Sequence, residues 1–416
     1  MNAATATLLA LIATIVLSIV SRINVGLVAI AMAWIISLFA TDVGADVVVR
    51  GFPASLFLTL TGVTLLFACA EANGTLEALA RRSVRRVGRN PVLLPVLFFV
   101  IAGTVASVGP GAISTVAMMA PMAMAMGAQA GSPPFLTALM LANGANSGNL
   151  SPLSAVGIVA NDRMGEAGLH GHEAKVWFFN FASHVLVSLV VWLWFARRRP
   201  DPEPRITAVP AAEPPLKREQ KITFGVLALW IVSVLGLQVH VGLSAFGAAV
   251  LLVLLQAADE RKALTLVPWA ILMMVCGVTV LIALLEATGG MDLFTSLLAR
   301  LATPESVNGV LALVTGTISI WSSTSGVVLP AFLPTVTDLV GKVGGGDPLA
   351  VALSINMGSS LVDVSPLSTL GALCVAAVAN PDTARRLFRQ MLVWGLSMAV
   401  VGALLAQLLA GVMARA

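Results

Sequence analysis

Four short runs of hydroxyl, amide and glycine residues interrupt otherwise apolar sequence. They are Ser107, Gly109, Pro110, Gly111 and Ser114; Asn143, Asn146, Ser147, Gly148, Asn149 and Ser151; Ser322, Ser323, Thr324 and Ser325; and Asn356, Ser359, Ser360, Asp363 and Ser365. Neutral side-chain oxygens and unwound carbonyls suit a hard cation such as sodium. Free N–H groups at the start of a helix suit an anion, a carboxylate above all. The runs contain no Lys or Arg, so an anion held there would be met by helix dipoles, hydroxyls, amides and a co-bound cation. Asp363 is their one carboxylate. Placed in an apolar span it is costly, which marks it as a cation ligand or proton carrier; its plainer reading is a cap on the half-helix that starts near Pro366. The candidate sodium position lies near Asn146, Asn149, Asn356 and Asp363, and no other cofactor is expected. Ser, Gly and Thr also line helix-packing faces in membranes, so each residue alone has a structural reading as well.

Other chemistry finds no support. His170, His172, His184 and His240 are scattered, and Cys69, Cys276 and Cys374 all fall in apolar segments without C-x-x-C or Cys/His metal spacing. No Ser/His pair, H-E-x-x-H or other catalytic spacing occurs, so a membrane-embedded enzyme is a poor rival and no enzymatic activity is expected.

The runs occur in two sets. Ser151-Pro152-Leu153-Ser154 returns as Ser365-Pro366-Leu367-Ser368. Gly62-Val63-Thr64 returns as Gly277-Val278-Thr279, Glu71 as Glu286, Gly74 as Gly289, Pro121 as Pro334 and Gly157 as Gly371, all at offsets of 213 to 215. Ordered matches at one spacing mean an internal duplication. A polar break at mid-membrane, once per half, is where transporters with internal repeats hold substrate and ions. Proline after serine in both S-P-L-S copies drives the preceding residue away from helix, so the break is written into the chain. Glu71 and Glu286 sit at matched span ends and read as symmetric structural contacts.

The elements that must position these runs are membrane spans. The chain is 58% hydrophobic and 11% charged, with a mean hydropathy of +0.95; soluble domains average about 25% charged residues. Spans are expected at about 4–20, 25–41, 53–72, 134–160 and 176–196, and again at 222–238, 243–258, 266–287, 348–379 and 387–413. The first lacks a charged n-region and a cleavage site, so it reads as a retained helix and not a signal peptide. The spans at 134–160 and 348–379 are broken. The stretches 91–127 and 306–340 read as re-entrant hairpins, turning at Gly109-Pro110-Gly111 and at Trp321-Ser322-Ser323-Thr324. Residues 197–221, rich in proline and charge, form a linker between a first repeat at 1–196 and a second at 222–416.

Five crossings and one hairpin per half is an odd number, so the second half must lie inverted. With the linker cytoplasmic, 18 of the 24 Lys and Arg residues fall inside, leaving Arg50, Arg163, Lys175, Arg300, Lys342 and Arg415 outside. Both termini are then outside the cytoplasm. The net charge of +4 reflects this topology, and a nucleic-acid partner is not expected. The run Arg81-Arg82-Ser83-Val84-Arg85-Arg86 reads as a helix lying along the cytoplasmic surface. The fold class is an all-α polytopic membrane protein of two inverted repeats, each of five transmembrane helices and one re-entrant hairpin, in the plasma (inner) membrane with the lipid bilayer as a partner.

These residues resemble the ion transporter superfamily. The hairpin and broken-helix repeat is similar to that of divalent anion/sodium symporters of the INDY type, whose hairpin tips carry Ser-Asn-Thr. Ser322-Ser323-Thr324 is a near match; Gly109-Pro110-Gly111 departs from it. The S-P-L-S loops stand where that family's Thr-Pro-Pro-type loops would be. A closer resemblance is to MatC-type dicarboxylate carriers, through Gly51-Phe52-Pro53, Gly62-Val63-Thr64, Leu66-Phe67 and Glu71-Ala72-Asn73-Gly74-Thr75-Leu76. The resemblance implies a small dicarboxylate such as malonate or a C4 acid, a homodimer, and an elevator mechanism. In that mechanism 4–20, 25–41, 222–238 and 243–258 form a scaffold, while the hairpins and broken helices move. The expected function is secondary active transport of dicarboxylates coupled to sodium or protons, with a cation/proton antiporter on the same fold as the alternative.

Overall fold

A backbone in lipid must satisfy its own hydrogen bonds, and a chain this apolar does so as helix. The computed structural model describes residues 2–20, 23–39, 43–78, 92–109, 111–197, 215–237, 239–378 and 380–415, and every regular element in them is helical. Among the described residues, seven helical segments are long and apolar enough to cross a membrane, so the chain is a polytopic membrane protein. The expected surface helix at 81–86 and Pro110 lie outside the described residues, as do residues 198–214 of the expected linker.

The first half runs α1 (Ala3–Val20), α2 (Val25–Phe39), α3 (Ala45–Arg50), α4 (Ala54–Ala72), α5 (Leu93–Val108), α6 (Gly111–Gln129), α7 (Pro134–Gly148), α8 (Ala155–Glu166) and α9 (Glu173–Arg197). The second runs α10 (Arg218–Leu237), α11 (Val241–Leu254), α12 (Glu260–Leu266), α13 (Trp269–Ala287), α14 (Gly290–Ala299) and α15 (Val307–Trp321). A π-helical turn (Thr324–Val328) leads into α16 (Leu329–Phe332) and α17 (Val336–Val343), followed by α18 (Pro348–Leu361), α19 (Thr369–Ala376) and α20 (Pro381–Met413). The short helices α3, α12 and α14 were not expected from the hydropathy, because each is too brief to register as a span.

The second half repeats the packing of the first. Helix α5 packs on α7 as α15 packs on α18, and α7 on α9 as α18 on α20. Among the pairs that join the halves, α2 crosses α13 and α4 crosses α11. Each crossing is a backbone contact made possible by glycine. A Cβ on Gly277 would come 2.2 Å from the Gly26 carbonyl oxygen, and one on Gly62 would come 2.2 Å from that of Gly242. Without a hydrophobic force between helices in lipid, such close approach is what holds them together.

The two hairpins differ. Helix α6 is continuous for 19 residues through Pro121. Its counterpart is divided into the π-helical turn, α16, a 3₁₀ turn (Leu333–Thr335) and α17. The second arm carries Pro330 and Pro334, and each proline removes a helical donor and crowds the preceding turn.

Candidate functional site

The two S-P-L-S strings fold into the same turn. In the first, Ser151 Oγ accepts from the Leu153 N–H at 3.3 Å, and Ser154 Oγ donates back to the Asn149 and Ser151 carbonyls. In the second, Ser365 Oγ accepts from the Leu367 N–H at 3.3 Å, and Ser368 Oγ donates to the Asp363 and Ser365 carbonyls. These hydroxyls consume carbonyls left over where α7 and α18 end. The copies part at the next helix. Ser154 also caps α8 by accepting from the Gly157 N–H at 3.0 Å. Ser368 makes no such bond to α19, whose first turn keeps its N–H groups without a side-chain cap.

The hairpin tips meet these breaks. Gly111 has φ +74, a left-handed conformation that glycine adopts without strain. It turns the Ala112 N–H, at the start of α6, onto Asn149 Oδ1 at 2.9 Å. The Asn149 amide then donates to Asn146 Oδ1 at 3.2 Å. In the second half Asp363 stands in the place of Asn149. Its carboxylate lies beside Thr324, at the start of the π-helical turn. Ser319 and the Ser359 carbonyl also lie within hydrogen-bond reach of the Thr324 hydroxyl. Each half therefore brings one Asx side chain of its break to its hairpin tip, an amide in one case and a carboxylate in the other.

Between them lies a cavity of about 390 Å³, within the range of roughly 300–1,000 Å³ usual for small-molecule sites. Its polar wall is made by Asn149, the tip residues Ser322, Ser323, Thr324 and Ser325, Asp363, Ser368, Thr369 and Asn24. Its apolar wall includes Ile113, Val156, Ile271 and Met274. Asp363 is the one charged side chain among the described residues that line it. The cavity reaches exposed residues at Ile23 and Leu367. Ile23 lies in the connection between α1 and α2, beside the first turn of α13, where Asn24 donates to the Ala270 carbonyl at 2.7 Å.

The structure brings six of the expected residues to this cavity: Asn149, Ser322, Ser323, Thr324, Ser325 and Asp363. Gly111 and Ser114 line an adjoining cleft with Leu60 and Thr64 of α4. Others serve the frame. Ser107 donates to Gly103, and Ser147 to Gly144. Ser359 donates to Ile355, and Gly109 packs on the Phe67 ring. Asn146 donates to the Ser360 carbonyl at 2.7 Å, and the Asn356 amide lies 3.5 Å from Met164 Sδ. Asn143 is fully buried with neither amide atom paired. Of the four residues named for sodium, Asn149 and Asp363 line the cavity, while Asn146 and Asn356 do not. No cluster of three or more His, Cys, Asp or Glu occurs among the described residues.

Asn24, Met274, Ser368 and Thr369 were not expected at the site. For Ser368 the repeated string was the available signal. For Asn24 and Met274 there was none, because they reach the cavity only through the crossing of α2 and α13.

The chain is similar to known carriers in two respects. Residues 1–149 match the family model described as the N-terminus of dicarboxylate carrier protein MatC. The fold is similar to that of the YdaH transporter of Alcanivorax borkumensis, with a TM-score of 0.57 at 17% identity, covering 88% of this chain and 87% of that one. A search of curated proteins returns no match.

Proposed function

We propose that the chain is a secondary active transporter of small dicarboxylates, coupled to sodium or protons. One observation carries this reading: the cavity gathers both S-P-L-S breaks and both hairpin tips around Asp363, in a chain whose first 149 residues match a dicarboxylate carrier. The uncapped first turn of α19 and the hydroxyls of Ser323 and Ser325 offer N–H and O–H donors to a carboxylate. Asp363 would repel a dianion in a site without Lys or Arg. A cation seated between Asp363, Thr324 and Asn149 removes that repulsion, so substrate and cation bind together. Such interdependence is a coupling free energy between two ligands.

The repeated packing and the odd number of crossings per half support two inverted repeats, 1–196 and 222–416, joined by a cytoplasmic linker. An elevator movement fits the unequal seating of the tips. Gly109 sits against Phe67 of α4, and residues 111–114 line clefts with α4 between Leu60 and Glu71. The second tip, Ser322 to Gly326, sits against α13 between Ala270 and Val275. The repeat mates of Leu60 and Glu71 are Val275 and Glu286. The two tips therefore ride at different heights on equivalent helices, as they would with the moving part displaced towards the linker side, to which the cavity opens. A homodimer in the inner membrane, both termini outside, completes the reading.

The test is reconstitution of the full chain in liposomes, with labelled malonate, succinate and citrate, in the presence and absence of a sodium gradient. Accumulation of malonate or succinate that follows an imposed sodium or pH gradient is expected. Sodium/proton exchange without uptake of any of the three acids would replace this reading with a cation/proton antiporter centred on Asp363.

A further inference from the structure

A second titratable group is buried inside the moving part, away from the cavity. His184 lies in α9 with no solvent exposure, where α9 packs across both α7 and α18. These are the first halves of the two broken helices, and their C-terminal ends meet beneath the imidazole. Asn180, one turn earlier, donates to the Asn146 and Ser147 carbonyls at 2.8 and 3.3 Å, holding the end of α7. Asn146 in turn donates to the Ser360 carbonyl at the end of α18. His184 Nδ1 lies 2.9 Å from the Asn180 carbonyl, and the ring also interacts with the Ser360 carbonyl. Nε2 has no hydrogen-bond partner of good geometry.

Both of the ring's polar contacts are therefore with acceptors. A neutral imidazole has one N–H and one lone pair. Whichever tautomer it adopts, a lone pair is left facing carbonyl oxygen or without a donor. An imidazolium donates to the Asn180 carbonyl and can donate to that of Ser360 once that carbonyl comes into bonding geometry. It also places a positive charge where two half-helices end, at the negative poles of their dipoles. Burial opposes that charge. Burial favours the neutral ring, so it takes up a proton only in an arrangement that presents both carbonyls.

Among the described residues, no charged side chain acts on the ring. Helices α7 and α18 carry no titratable residue. Asp162, Arg163 and Glu166 of α8 are paired with one another. On α9 itself the charged residues Glu173, Lys175 and Arg197 lie near its ends. The position 214 residues on is Met398, so the repeat does not require a polar side chain here.

We infer that His184 is a proton-binding site of the transport cycle, and that its protonation clamps the C-terminal ends of both broken helices. A proton from water binds the free ring nitrogen as the breaks close around substrate, and leaves as they open. The coupling role rests on the transport reading above; the protonation does not.

The test separates the two. The triple variant His170→Gln, His172→Gln, His240→Gln changes only residues in connections and leaves His184 as the single histidine. Ring-labelled, in lipid nanodiscs, its imidazole is followed by NMR between about pH 4 and pH 9. Passage from neutral to doubly protonated ring is expected, with a midpoint that moves when succinate is added at saturation. A ring that stays in one neutral tautomer throughout overturns the inference, whether or not the protein transports. In liposomes, His184→Gln is expected to lower pH-gradient-driven accumulation on the order of tenfold while leaving sodium-driven or downhill exchange in place. Undiminished pH-driven accumulation in that variant overturns the coupling role. Absence of uptake by the unaltered protein counts against the transport reading, and the NMR titration still decides His184.

Discussion

If transport proceeds by the proposed elevator movement, the difference in seating of the two hairpin tips sets its size. If the halves exchange roles, the second tip must come to sit on α13 where the first now sits on α4. The contact of Gly109 with Phe67 maps to Ser323 against Ile282, whereas the second tip now meets α13 at Met274, through Gly326. The two positions on α13 are eight residues apart, or ~12 Å at 1.5 Å per residue. Two cysteine pairs measure this, in a background with Cys69, Cys276 and Cys374 replaced. Met274→Cys with Gly326→Cys joins positions already in contact, since a Cβ on Gly326 lies 2.3 Å from Met274 Cε. Ile282→Cys with Ser323→Cys joins the repeat mates of Phe67 and Gly109, which touch in the first half. A disulfide needs Cβ atoms within about 4.5 Å, so the second pair is out of reach until the tip has moved. Oxidation should cross-link the first pair readily and stop succinate uptake. The second pair should cross-link only under conditions that populate the displaced state. An uptake-competent protein whose first pair is fully cross-linked would refute the movement, as would a second pair that never forms while uptake proceeds.

Asn149→Leu removes the acceptor of the buried Ala112 N–H and the partner of Asn146. Leaving such a group unpaired costs about 1–3 kcal/mol, so thermal unfolding in detergent should shift downward; Asn149→Asp, which keeps the acceptor, should recover most of the loss. Gly277→Val places a side chain where a Cβ alone meets the Gly26 backbone at 2.2 Å, and overpacking of about 1–3 kcal/mol or more should show as lost monodisperse protein on size exclusion. Asp363→Asn should weaken the cation dependence of uptake more than Glu71→Gln does, and equal effects would remove the special role assigned to Asp363.

Much of the frame was legible in the sequence because it is written in local rules. The breaks follow from Ser-Pro, the first tip from Gly111, and the spans from runs of apolar residues, whose ends fall within a few residues of α1, α2, α4, α9 and α13. The two matching S-P-L-S turns show that an identical local string makes an identical local hydrogen-bond set. Less legible was which of the polar residues face open space. Asn146 and Asn149 are three residues apart on one helix end, yet one amide is spent on Ser360 and the other lines the cavity.

The sequence by itself determined that this chain lives in a membrane, that it carries one set of strings twice, and where each copy must leave the helix. Those properties depend on the backbone's need for hydrogen bonds in lipid and on the steric demands of Pro and Gly, which act within a few residues. The tertiary structure decided which copy of each break opens to the cavity, which serines became turn hydroxyls, and that His184 sits over two helix ends. Those outcomes depend on crossings between distant helices, α2 with α13 and α9 with α7 and α18, and nothing in a local window specifies which side chains a crossing will bring together.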